Sequence, residues 1–200
     1  MMVLGGHELT KQMQTKLPDQ LPLEERLAVL EKVWPNDMHY YSRDLGDKII
    51  AVLLDNSMSK YLPVQVDKLK ADVERAKEEG KIILIFQHEP ISTWNPKHVA
   101  VRAVIENSGA LKVVDMGVNL GMIGKQVDTD EATAKVCELI RSNADVIKAV
   151  FAGHWHSQFY ADITASFTKD GKTHDALIPQ YVVSGSPYHA NGFLTRVIVK

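Results

Sequence analysis

The sequence predicts one α/β domain spanning residues 1–200, and three observations carry that reading. Amphipathic helical segments alternate with short, continuously apolar runs through the middle of the chain, the pattern of an α/β domain. The last quarter reads as strands alone, with Asp170-Gly171 as a tight turn. The composition, 45% hydrophobic and 24% charged, is that of an ordinary folded chain. A net charge of −2, from 23 basic and 25 acidic residues without a long block of either sign, argues against a nucleic-acid or membrane patch driven by bulk charge. The single cysteine, Cys137, excludes an internal disulfide framework and a cysteine-rich zinc module. No apolar run approaches about 20 residues, so no membrane span is expected, and the N-terminus lacks a signal peptide's charged and apolar regions. With no disulfides either, the compartment is left open, with the cytoplasm favoured.

Taken in order, Met1–Leu4 reads as a short strand stopping at Gly5-Gly6. Pro22–Val33 carries Leu23, Leu27, Leu30 and Val33 at helical spacing and is closed by Pro35. Met38–Leu45 and Lys48–Leu54, separated by Gly46-Asp47, predict a β-hairpin. Pro63–Glu79 is an amphipathic helix, with proline suited to its first turn and Gly80 to its exit. The run Lys81–Phe86 fits a strand buried on both faces and ends at Gln87-His88-Glu89-Pro90. A helix is expected through Val99–Ile105, a loop over Gly117–Gly124, and a further helix over Asp130–Ser142. Val146–Phe151 is a second buried strand, ending at Gly153-His154-Trp155-His156. Strands near 158–168, 173–178, 180–185 and 193–199 then finish the chain in what reads as an antiparallel arrangement. No internal repeat or low-complexity linker divides the sequence.

The eight histidines are the informative residues. Two buried strands end in histidine, at His88 and at His154, and ligands gather outside the carboxyl ends of strands in open α/β sheets. A histidine there can offer one ring nitrogen to a metal while the other is held by a carbonyl or carboxylate. Gly153 would let the backbone turn sharply as it leaves the sheet, and in extended backbone His154 and His156 would share a side. Composition alone gives only about 0.02 occurrences of Gly-His-x-His in such a chain.

Gly5-Gly6-His7-Glu8, Leu53-Leu54-Asp55-Asn56-Ser57, His88 after its strand, Gly153-His154-Trp155-His156, and Val182-Val183-Ser184-Gly185-Ser186-Pro187 follow one another in an order that resembles the calcineurin-like metallophosphoesterases. The resemblance covers the C-terminal two-thirds or so of a family domain. It implies a layered metallophosphoesterase-like β-sandwich flanked by helices, with the N-terminal βαβα part absent. It also implies hydrolysis of a phosphomonoester or phosphodiester by metal-bound hydroxide at a dinuclear centre of Mn, Fe or Zn. Carried over residue by residue, His88 and His154 are ligands of one metal and His156 of the other. His7 is the acid that stabilises the leaving group or the attacked phosphoryl oxygen.

The family's first two motifs, which supply the bridging carboxylate, would lie ahead of Met1, and Gly6 stands where the family has an asparagine ligand. Three histidines can hold one zinc with an open position for water, so this chain is expected to hold at most one ion and to be weakened as an enzyme. The alternative is a non-catalytic binding module that keeps the fold. Self-association through an uncovered sheet is expected if the upstream strands are missing. His39, His98, His174 and His189 are read as surface or hydrogen-bonding residues, with His98 and His189 in loops that could rim a cleft. Asp55 is expected in a turn-forming hydrogen bond with Asn56 and Ser57 rather than on a metal. Cys137 should be a buried, inert thiol. Loops 91–127 and 186–192 are where specificity would reside, and neither carries a recognisable ligand motif.

Overall fold

The computed structural model describes residues 22–91, 104–105, 111–112, 130–154 and 159–183. In chain order these form α1 (Leu23–Val33), β1 (Tyr40–Leu45), β2 (Ile49–Leu54), α2 (Pro63–Glu79), β3 (Ile82–Phe86), β4 (Val104–Ile105), β5 (Leu111–Lys112), α3 (Glu131–Ser142), β6 (Ile147–Ala152), β7 (Phe159–Lys169) and β8 (Lys172–Val182). The architecture is mixed α/β. Six strands make one sheet in the order β1-β2-β3-β6-β8-β7, and β4 pairs with β5 in a separate two-stranded ladder. The four central strands are parallel, while β1 and β7 are antiparallel to their neighbours at the two edges.

Local sequence explains the main elements. The β1–β2 hairpin turns through Gly46, whose φ of 67° lies in the left-handed region that glycine enters without a Cβ penalty. In α2, Pro63 occupies the first turn, and the Gln65 Oε1 accepts the Leu62 N–H at 2.6 Å. Gly80 ends that helix at φ 64° in a left-handed cap. Helix α3 starts at Asp130, whose side chain accepts the Thr133 N–H at 3.0 Å.

Advancing the sheet in one direction through β2, β3 and β6 places right-handed crossovers on one face. Accordingly Leu69 and Val73 of α2 and Val136 and Ile140 of α3 share a buried cluster with strand residues such as Ile83 and Ile147. Each such aliphatic side chain contributes roughly 1.5–3 kcal/mol through burial. On the opposite face Leu84, Ala149 and Phe151 form a smaller cluster. There the rings of Phe86 and Phe151 stack at 5.0 Å and those of Phe151 and Tyr181 at 5.4 Å. No described helix is long and apolar enough to cross a membrane.

Three expectations need correction. The predicted strands 173–178 and 180–185 are one strand, β8, which runs through Pro179 without a break. Pro179 pairs with Asp162 of β7, and pairing with β6 begins only at Gln180, so no ladder partner is lost on that side for want of a proline N–H. The C-terminal part is also not wholly antiparallel, because β8 joins β6 in parallel. Finally, Val104–Ile105, the end of the expected Val99–Ile105 helix, is a strand, its pairing with Leu111–Lys112 overriding helical spacing. The expected strands at 1–4 and 193–199 and the Gly117–Gly124 loop lie outside the described residues.

Candidate functional site

The parallel strands all deliver their carboxyl ends to one edge of the sheet. Pairing continues past the strands proper: the Asp55 N–H donates to the His39 carbonyl at 3.1 Å, Gly153 to His88 at 2.9 Å, and Val183 to Ala152 at 2.8 Å. His39, Asp55, His88 and His154 are therefore set along neighbouring strand ends, about 4.8 Å apart per strand.

His88 and His154 come together there. Nε2 of the half-buried His88 lies 3.2 Å from Nδ1 of the exposed His154, with the rings nearly perpendicular at 86°. His154 does not leave the sheet in the extended conformation expected of it. Its φ is 71°, left-handed backbone that costs a non-glycine residue about 1–2 kcal/mol. The sharp turn assigned to Gly153 is thus made by the histidine itself. A Cβ on Gly153 would meet only ordinary contacts, the nearest at 3.8 Å from the His88 carbonyl oxygen. Strain of this kind concentrates at functional positions. His7 and His156 lie outside the described residues, as do His98 and His189.

Beneath the two imidazoles is a network of buried polar groups. Asn56, with no exposed surface, accepts through Oδ1 from the backbone N–H groups of His88 at 3.0 Å and Glu89 at 2.9 Å. Its Nδ2 donates to the Glu89 carbonyl at 2.8 Å. The same carbonyl accepts from Gln87 Nε2 at 2.7 Å, and Gln87 Oε1 accepts the Tyr61 hydroxyl at 2.7 Å. Ser59 Oγ donates to the buried Glu89 carboxylate at 2.7 Å. Burial holds the Tyr61 hydroxyl well above its ordinary pKa, so it stays a neutral donor.

Asp55 does form the expected turn: its Oδ1 accepts from the Ser57 N–H at 3.0 Å and from Ser57 Oγ at 2.6 Å. Asn56 takes no part in that turn, since its amide is directed to residues 88 and 89. The other Asp55 oxygen meets His39 Nδ1 at 2.8 Å. That hydrogen bond raises the His39 pKa above its usual value, against burial, which lowers it. His174 stacks on Phe167 at 5.1 Å, far along β8 from the carboxyl edge. Cys137 is buried in the core, where burial pushes its thiol up to about 11, the inert role expected of it. Sequence reasoning placed Asn56 in the Asp55 turn and missed Gln87, Tyr61 and Glu89. For Asn56, Gln87 and Glu89 the available signal was polar side chains set just after fully apolar strands.

The 3.2 Å contact is a hydrogen bond between the two rings, and the same spacing is compatible with both nitrogens on one metal ion. Imidazole nitrogens bind zinc at about 2.0–2.1 Å, which sets two ligands of a tetrahedral ion about 3.3 Å apart. Two imidazoles suit zinc or iron. Among the described residues no group of three or more His, Cys, Asp or Glu side chains is assembled, so a third ligand would come from beyond them.

No family model matches the sequence, and no curated protein matches it. Among solved structures the chain is similar to a lipoprotein from Streptococcus agalactiae at 11% identity, over 88% of this chain and 79% of that one. The TM-score is 0.20, a level of likeness that carries no argument about fold or function.

Proposed function

We propose that this chain is a hydrolase of the metal-dependent phosphoesterase type, with the layered sandwich fold of the calcineurin-like family and a phosphomonoester or phosphodiester as substrate. The observation that carries the reading is the 3.2 Å approach of His88 and His154 just past the carboxyl ends of the parallel strands β3 and β6. His88 and His154 would hold one divalent ion, with His156 a further ligand and His7 the acid at the leaving group. A bound divalent ion in such a site polarises phosphate oxygens and lowers the pKa of bound water. The chain's own contribution would be to set the two ring nitrogens at the edge and to back them with buried, hydrogen-bonded polar side chains.

The test is zinc binding by competition with a chelator, on the wild-type chain and on His88→Ala and His154→Ala. The zinc-loaded chain is then titrated with inorganic phosphate. Each substitution is expected to weaken zinc by about a hundredfold or more, and phosphate should bind only with zinc present. Zinc affinity indifferent to both histidines overturns the metal site. Zinc bound through the histidines without any phosphate binding supports the alternative, a binding module that retains the fold.

A further inference from the structure

We infer that Asn56 is a positioning residue for the metal ligand His88, an inference that rests on the functional reading above and concerns how its site is held. His88 sits at a strand end, where ladder hydrogen bonds run out and the backbone would otherwise be free to pivot. Two groups fix it. The Gly153 N–H donates to the His88 carbonyl at 2.9 Å, tying it to the strand end that carries His154. On the other side the Asn56 amide takes the His88 N–H at 3.0 Å and the Glu89 N–H at 2.9 Å on one oxygen. The same amide returns a hydrogen bond to the Glu89 carbonyl at 2.8 Å.

One fully buried side chain therefore closes a fork on two consecutive peptide units, from a strand end 32 residues earlier in the chain. Gln87 Nε2 donates to the same carbonyl at 2.7 Å, and Gln87 is in turn held by the Tyr61 hydroxyl, which donates to its Oε1 at 2.7 Å. The chemistry of an amide is required. A carboxylate could accept both N–H groups but has no hydrogen to give the Glu89 carbonyl, and an aliphatic residue offers nothing to either. Asn56 touches neither the ring of His88 nor any ligand atom in these contacts; it acts on the metal only through the backbone on which the ring is mounted. Groups that orient metal ligands typically change metal affinity by 10–100-fold when removed.

The experiment measures zinc affinity by chelator competition, well below each protein's melting temperature, for wild type, Asn56→Ala, Asn56→Asp and Tyr40→Phe. Tyr40→Phe removes a different buried hydrogen bond, the 2.6 Å contact to Asp72, and serves as a destabilised control. Asn56→Ala is expected to weaken zinc by about 10–100-fold. Asn56→Asp, which keeps both acceptor contacts, should recover part of that loss, and Tyr40→Phe should leave affinity unchanged. If Asn56→Ala binds zinc as tightly as wild type while melting earlier, Asn56 is structural only and the inference is overturned. If wild type binds zinc without help from His88 and His154, the functional reading fails first, and this inference falls with it. Should Asn56→Ala fail to fold, Asn56→Asp decides: affinity and cobalt(II) absorption spectrum both identical to wild type would count against a positioning role.

Discussion

The Asp55 carboxylate and the His39 imidazole face each other across the open end of the β1–β2 hairpin, Oδ2 to Nδ1 at 2.8 Å. Asp55 is almost fully buried, and its second oxygen is occupied by Ser57, so the carboxylate is held while the ring remains about a third exposed. The proton is thereby kept on Nδ1, and protonation at Nε2 is favoured by the adjacent charge.

This pair gives a pH-dependent contribution with a definite sign. The folded His39 pKa is raised, so its stabilisation is fully present below the unfolded value of about 6.5 and is lost as pH rises through the folded pKa. The denaturation midpoint of wild type should exceed that of His39→Gln by the widest margin at pH 5–6, narrowing above about pH 7. An NMR titration of the His39 ring should show the raised pKa falling in Asp55→Asn. A ring that titrates identically in both proteins would contradict the pairing.

His154 supplies the second prediction. Replacing it with glycine removes a Cβ from a residue at φ 71° and should stabilise the metal-free protein by about 0.5–1 kcal/mol, even as it removes the proposed ligand. His154→Ala keeps the Cβ and should show no such gain. Urea midpoints at equal slope measure both. A glycine variant less stable than the alanine variant would show that the backbone there is not strained.

Tyr61→Phe tests the network under the histidines. The hydroxyl is the donor to Gln87 Oε1 in a buried setting, so its removal leaves that oxygen unsatisfied and should cost about 1–3 kcal/mol. Thermal or urea unfolding reads this directly. A neutral outcome would mean that another donor takes over.

Turnover should be weak. A phosphoesterase centre draws much of its rate from two cations about 3.5–4 Å apart, and each 1.36 kcal/mol of lost charge stabilisation is tenfold in rate. The ligands carried over to this chain are neutral imidazoles, with Gly6 where the family has an asparagine. Little or no hydrolysis of p-nitrophenyl phosphate or its bis-ester is therefore expected, with or without manganese, and any that occurs should vanish in His154→Ala. Robust metal-dependent turnover would reveal ligands beyond the three histidines, with Asp55 and His189 the first to examine.

The parts of this molecule that were legible in the sequence are those set by local chemistry. Pro63 and Gly80 bracket α2, Asp130 starts α3, and the apolar runs read as Lys81–Phe86 and Val146–Phe151 are the strands Ile82–Phe86 and Ile147–Ala152. Their following histidines were legible for the same reason, since the end of a buried strand is a readable position. What escaped depends on pairing between distant segments. Nothing near Asn56 says that residues 88 and 89 will need its amide, and nothing near Gln180 says that β8 will turn from one neighbour to two. The left-handed backbone at His154 was hidden by the glycine before it, which offered a more ordinary place for the turn.

The parallel pairing of β3 with β6 has a kinetic consequence. His88 and His154 are 66 residues apart in the chain, so closing that separation brings a large loss of chain entropy before any contact repays it. A metal ion held by both rings, as proposed, would have nothing to hold in the unfolded ensemble. If the two rings meet only after the folding barrier, such an ion would leave the folding rate almost unchanged and slow escape from the native state, lengthening the folded lifetime by a factor of one plus the ratio of free ion concentration to Kd.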